Sequence, residues 1–353
     1  MSLVTPMLIR RLGMKHILTL SSIAAFYGNA IVFLIPGSYP VMFFGMLIEG
    51  MGNGIIMNAT YILLTYIEDE EDKQRSFSVY NIASLAGGNF GFMLGSILAI
   101  LLSQRLTFLI IALMWLSMAI MSNVILLQLK NLISTDEETE EEEDDKNKSI
   151  SIRQFILNRP VLSFMILFQN PYILFSGFVL FFAPIFCENQ GYSEIVVSIL
   201  MMVHAEAAVL SESNLSERIT KLKGNMGMYI AYFLNISAVM LFVLINDIFG
   251  LALALIIMGI AAGFGITLEQ MWFIKLKPSQ QYGEDNAMSI YAFTENIGES
   301  LGPMVFARLM TLEPIIASVS TFCAVVGALG FGHMIFNKKE IAEFSQTDEE
   351  ENN

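Results

Sequence analysis

Five glutamates stand where ionisable groups are rare. Glu49, Glu206, Glu269, Glu295 and Glu299 fall inside long apolar stretches, and no lysine or arginine lies deep in any of them. A charge at the centre of a bilayer costs about 2.5–3.5 kcal/mol on insertion scales, so each carboxyl is expected to be protonated, paired or hydrated. Glu295 and Glu299 are four residues apart, which puts them on one helical face. Like charges that close favour sharing a proton, the chemistry of a site that picks up and releases protons. A neutral, hydrogen-bonded glutamic acid is the plainer alternative, and for Glu269 a partner at the end of its span, Lys275, is another. Asn58, Gln169 and Asn170 add neutral polar groups. The last two open Gln169-Asn-Pro-Tyr172, where Pro171 removes a backbone donor and interrupts an apolar helix. His204 and Glu206, two residues apart, point to different faces, and His204 reads as a satisfied polar residue.

Other chemistries are disfavoured. There is no P-loop, no G-x-S-x-G and no metal-ligand cluster, so neither an enzyme nor an ATP-driven pump is expected, and no cofactor or metal is called for. The two cysteines, Cys187 and Cys323, imply no disulfide framework. The net charge of −14 comes from three runs, Glu68–Asp72, Asp136–Asp145 and Asp348–Glu351, which hold 18 of the 33 carboxylates. What remains is slightly basic, and nothing suggests nucleic-acid binding.

The elements that must position these groups are membrane spans. Of 353 residues 55% are hydrophobic and 15% charged, with a mean hydropathy of +0.61; a soluble domain would expose too much apolar surface. Spans of about 20 apolar residues are read at 15–35, 41–66, 77–102, 107–129, 161–187, 193–212, 226–246, 249–273, 287–309 and 314–336. With the N-terminus cytoplasmic, alternation places 17 of the 19 basic residues inside and leaves only Arg105 and Arg308 outside, the asymmetry that the positive-inside rule requires. Both termini are then cytoplasmic. No cleavable signal is apparent in Met1–Gly13.

Two segments recur. Asn89-Phe-Gly-Phe-Met-Leu-Gly95 and Asn296-Ile-Gly-Glu-Ser-Leu-Gly302 share N-x-G-x-x-L-G at an offset of 207 residues, and the same offset aligns Leu8-Ile-Arg-Arg11 with Leu215-Ser-Glu-Arg218. A common offset for two unlike motifs argues for a parallel duplication. Four spans precede the acidic stretch and six follow it, so the repeat predicts two further spans upstream of Met1. Gly87, Gly91 and Gly95, and Gly298, Gly302 and Pro303, are expected to be contact faces between helices, since small residues let helices approach in lipid.

Six plus six spans in parallel halves, joined by a long cytoplasmic loop, resemble the major facilitator superfamily. Pro6-Met-Leu-Ile-Arg-Arg-Leu-Gly-Met-Lys15 is similar to the family's loop between its second and third helices, with Arg10 at the usually acidic position. Gly50-Met-Gly-Asn-Gly54 matches the fourth helix without its preceding arginine, Met46 standing there. The resemblance implies an all-α polytopic membrane protein of two helical bundles, with ten of twelve transmembrane helices present. Residues 1–130 would form a four-helix N-terminal bundle, 131–159 an acidic cytoplasmic linker, 160–337 a six-helix bundle and 338–353 an acidic tail. It implies a secondary active transporter of a small solute working by alternating access, coupled to protons, monomeric and in the plasma membrane. Loop residues Arg10, Arg11, Lys15, Glu217 and Arg218 would take part in gating, with the acids of Glu68–Asp72 as partners for the first three. The alternative is a non-transporting scaffold, a receptor or regulator.

Overall fold

The computed structural model describes residues 2–133, 150–220, 226–312 and 314–338, and its elements are helices throughout. The acidic stretch 136–145, Lys221, Lys223 and the tail from 339 onward lie outside the described residues, as do the side chains of Glu217 and Arg218. The helices are α1 (Thr5–Leu12), α2 (Met14–Leu34), α3 (Tyr39–Thr65), α4 (Glu70–Leu101), α5 (Gln104–Ile133), α6 (Ile152–Ile156), α7 (Arg159–Asn189), α8 (Glu194–Thr220), α9 (Met226–Ile245), α10 (Ile248–Lys275), α11 (Lys277–Tyr282), α12 (Glu284–Met310) and α13 (Ile315–Phe336).

Among the described residues nine of these are long and apolar enough to cross a membrane: α2, α3, α4, the 104–124 part of α5, and α7, α8, α9, α10 and α13. Helix α12 has the length, 27 residues, but Glu295 and Glu299 dilute its apolar content. The chain is an integral, multi-pass membrane protein. Helix α4 begins earlier than the apolar run suggests. Glu70, Glu71 and Asp72, expected in a solvated loop, form its first turn instead, where carboxylates face the positive end of the helix dipole.

The chain divides into two compact units, each discontinuous in sequence. The first comprises 1–67, 97–151 and 280–293, the second 68–96, 152–279 and 294–353. In the first, α2 packs on both α3 and α5. Glycine makes the α2–α3 crossing possible: a Cβ at Gly28 would fall 2.5 Å from the Gly45 carbonyl oxygen, and one at Gly52 2.5 Å from that of Ser21. With no hydrophobic effect to drive helices together in lipid, such close backbone approach supplies the packing energy.

In the second unit α8 and α9 pack on α10, and α7 and α9 on α13. Helix α10 starts at Asp247, whose side chain accepts from Gly250 N at 2.7 Å, closing one of the open donors of the first turn. Its Gly259 and Gly263 lie directly under the carbonyls of His204 and Ala208 in α8. Aromatic rings fill the interior, with Phe164, Phe168, Tyr229, Tyr232, Trp272 and Phe273 all buried. Helix α7 winds wide in two places, Phe164–Gln169 and Phe178–Phe182, each a π-helical segment. Between them lies Pro171, and the Asn170 side chain donates to Met165 O at 2.8 Å, so a polar group expected in a cavity is used in part to hold the altered helix.

Candidate functional site

Helix α10 carries the most deeply placed acid of the chain. Glu269 is 1% exposed, in the C-terminal quarter of that helix, six residues before its last residue Lys275. Helix α7 brings a hydroxyl to the same helix: the Tyr172 hydroxyl lies against Gly265 of α10, one turn before Glu269, beside Ala231 of α9. The Tyr232 hydroxyl donates to Val326 O at 2.7 Å. One turn earlier Tyr229 meets His333 Nδ1 of α13 at 2.9 Å, and that imidazole is packed among Phe164, Phe168 and Trp272.

Beside Glu269 the buried Gln270 accepts from Asn81 of α4 at 2.8 Å, and the same amide group of Asn81 lies 3.1 Å from Thr267 Oγ1. Lower on α4, Ser78 donates to Glu212 of α8. On α12, Thr294 donates to Gln169 Oε1 of α7 at 2.6 Å, next to Glu295, which is 8% exposed. The second unit thus gathers Glu269, Glu295 and Gln169 in its interior, with α4, α7, α9, α10 and α12 as carriers.

The remaining residues singled out from sequence are dispersed. Glu299 and Glu206 are exposed; Glu206 sits in an apolar groove with Ile199, Val203, Leu210 and Ile256. Glu49, half-buried in the first unit, accepts from Trp115 Nε1 at 3.3 Å. Asn58, fully buried, donates to Ser289 Oγ at 3.3 Å. Lys275 is not the partner of Glu269. It pairs with Glu70 Oε2 at 3.4 Å, and Lys73 reaches Glu70 Oε1 at 3.3 Å, because Lys275 lies at the last residue of α10 while Glu269 points into the aromatic core. Arg10 pairs with Asp285 at 3.3 Å. Arg11 is exposed and Lys15 half-buried. Near Arg10, Tyr282 has its phenol pushed above its ordinary value by burial and by the Asp285 carboxylate, with Arg10 opposing.

The tyrosines of α9 were not singled out from sequence. A signal existed: Tyr229, Tyr232 and Asn235 recur every third residue along α9, a polar stripe on an otherwise apolar span. His204, buried, and His333 at 0% exposure both enter the packed interior. Gly298 and Gly302 meet α7: a Cβ at Gly298 would stand 2.9 Å from Ile173 Cγ2, and one at Gly302 2.9 Å from Gly177 N. Pro303 lies beside this crossing, against Gly177. Among the described residues nothing lies within 4 Å of a Cβ built at Gly87, Gly91 or Gly95.

Bundled spans around buried carboxyls and amides define a polytopic membrane protein of the helical transporter type. Residues 1–303 match the profile of the Major Facilitator Superfamily, and the chain belongs to that family of membrane transporters. Among solved structures, the chain is similar to the crystal structure of the human organic anion transporter MFSD10 (TETRAN), at 14% identity and a TM-score of 0.73, over 94% of this chain and 80% of that one. A search of curated protein sequences returned no match.

Proposed function

We propose that this protein is a secondary active transporter that moves a small solute by alternating access and couples that movement to protons. The observation that carries the proposal is Glu269, an acid 1% exposed inside the second unit, with the Tyr172 hydroxyl against Gly265 one turn before it on the same helix. An ionisable residue inside a membrane span marks a functional site by default, and a carboxyl that can be neutral or charged suits proton carriage. Glu295, buried next to the Gln169–Thr294 hydrogen bond, is the second candidate, and the exposed Glu299 ranks below both.

The similar solved structure is titled an organic anion transporter. This chain has no lysine or arginine deep in a span to receive an anion, which favours a neutral or cationic solute. Arg10, which departs from the family's loop pattern, finds an acidic partner in Asp285, and an ion pair at that loop supports the transporter reading. The site of action is the plasma membrane, with both termini cytoplasmic, and the working unit is the monomer.

The test is uptake by proteoliposomes from a labelled metabolite extract, with and without an imposed pH gradient, for the natural protein and for Glu269→Gln. Gradient-driven accumulation lost in Glu269→Gln, with exchange of solute retained, is the expected result. Equal gradient dependence in both proteins removes Glu269 from the coupling.

A further inference from the structure

Glu206 takes no part in the site around Glu269. It stands near the middle of α8, twelve residues from Glu194 and so about 18 Å along the helix axis. One stripe of that helix, Ile199, Met202, Val203, Glu206 and Leu210, forms a groove of about 510 Å³ with Ile256 of α10 as its far wall. The wall is close because Gly259, one turn after Ile256, lets α8 lie directly on α10: a Cβ there would stand 2.9 Å from Ala207 Cβ. Small-molecule sites occupy about 300–1,000 Å³, and this groove falls inside that range. Every other side chain lining it is apolar. Among the described residues the exposed Glu206 carboxyl has no hydrogen-bond or ion-pair partner.

An acid at that depth is costly to leave charged and unpaired, and neither helix of the groove supplies a cation. The first basic residue of α8 is Arg218, twelve residues beyond Glu206, and that of α10 is Lys275, nineteen beyond Ile256; these are about 18 Å and 28 Å along the axes. We propose that the groove is a binding site for a lipophilic organic cation, whose ammonium pairs with Glu206 and whose apolar body lies against Ile199, Val203 and Ile256. The stripe is asymmetric, and that gives the ligand its shape. Ile199 lies seven residues before Glu206, about 10 Å, whereas Leu210 lies only four after it, about 6 Å. A cationic head with one apolar chain of about 10 Å therefore fits. A small hydrated cation does not, because no apolar burial offsets its desolvation. The carboxylate repels an anion, and a neutral amphiphile gains the apolar contacts alone. Glu269 lies thirteen residues from Ile256 along α10, about 20 Å, so occupancy of the groove does not depend on proton coupling at that acid.

The chain is reconstituted in phosphatidylcholine nanodiscs, and saturable binding of radiolabelled decyltrimethylammonium is measured above that of protein-free discs. Decanol and decyl sulfate serve as the neutral and anionic counterparts. The natural protein should bind the cation saturably, decanol more weakly and decyl sulfate least. Glu206→Gln, which breaks no contact among the described residues, should keep the unfolding midpoint, weaken cation binding by about tenfold or more and leave decanol binding as it was. Val203→Trp, which fills the groove and keeps the carboxylate, should weaken binding of the cation and of decanol together. Absence of saturable cation binding overturns the proposal, and so does equal affinity in Glu206→Gln or a preference for decyl sulfate. If Glu206→Gln does not fold, Val203→Trp decides alone, and unaltered cation binding in it overturns the proposal. Uptake by Glu269→Gln reads proton coupling and this assay reads binding at Glu206, so either can fail without the other.

Discussion

Replacing Gly177 with alanine adds one methyl group at the point where α7 and α12 cross. The built Cβ stands 2.7 Å from Pro303 N, and closer still to the carbonyl carbon and oxygen of Gly302, where ordinary contacts begin at 3.4 Å. The helices must therefore part by about 0.7 Å or more, and no rotamer change relieves the clash because every offending atom is backbone. Overpacking typically costs about 1–3 kcal/mol, and a backbone-on-backbone clash belongs at the upper end of that range. At about 2–4 °C per kcal/mol for a domain of 150–250 residues, Gly177→Ala should lower Tm by roughly 6–12 °C. The assay is thermal unfolding in detergent micelles, with Gly332→Ala, which meets nothing within 4 Å, as the matched control. If Gly177→Ala melts within about 1 °C of the natural protein, α7 and α12 do not cross there.

Two further outcomes follow from the polar contacts. Asn81→Leu removes the hydrogen bonds to Gln270 and Thr267 and should destabilise the second unit by about 1–2 kcal/mol, read as a lowered unfolding midpoint; an unchanged midpoint contradicts the pairing of α4 with α10. For the Arg10–Asp285 pair, whose arginine is 58% exposed, Arg10→Glu should cost less than about 1 kcal/mol. Adding Asp285→Arg should restore it, and high salt should erase the difference. A loss that the swap does not rescue means the two side chains do not work as a pair.

The spans were legible because lipid imposes one rule, about 20 apolar residues per crossing, that needs no knowledge of neighbours. Even α12, whose Glu295 and Glu299 weaken its apolar signal, is found by the alternation of basic loops on either side. Which acid is buried was not legible. Helices apolar all round give no face to the core, so Glu206 and Glu269 look alike in sequence, yet one lies in an open groove and the other is 1% exposed in the interior. Partners separated by many residues failed for the same reason. Lys275 is six positions from Glu269 in the chain, but its ammonium finds Glu70 at the head of another helix. Spacing marked Gly298 and Gly302 as small-residue positions, but not that Ile173 and Gly177 of α7 would lie against them.

The two wide turns of α7 have a mechanical meaning. Each holds one residue more than the α-helical turn it replaces, and Asn170–Gly177, with Tyr172 and the α12 crossing point, is the rod slung between them. Moving that spare residue from one wide turn to the other spins the rod by about 100°, one residue's worth of helical rotation, while both ends of the span stay put. Such a rotation would carry the Tyr172 hydroxyl away from Gly265 of α10, one turn before Glu269, turning a change of winding into a change of the acid's surroundings.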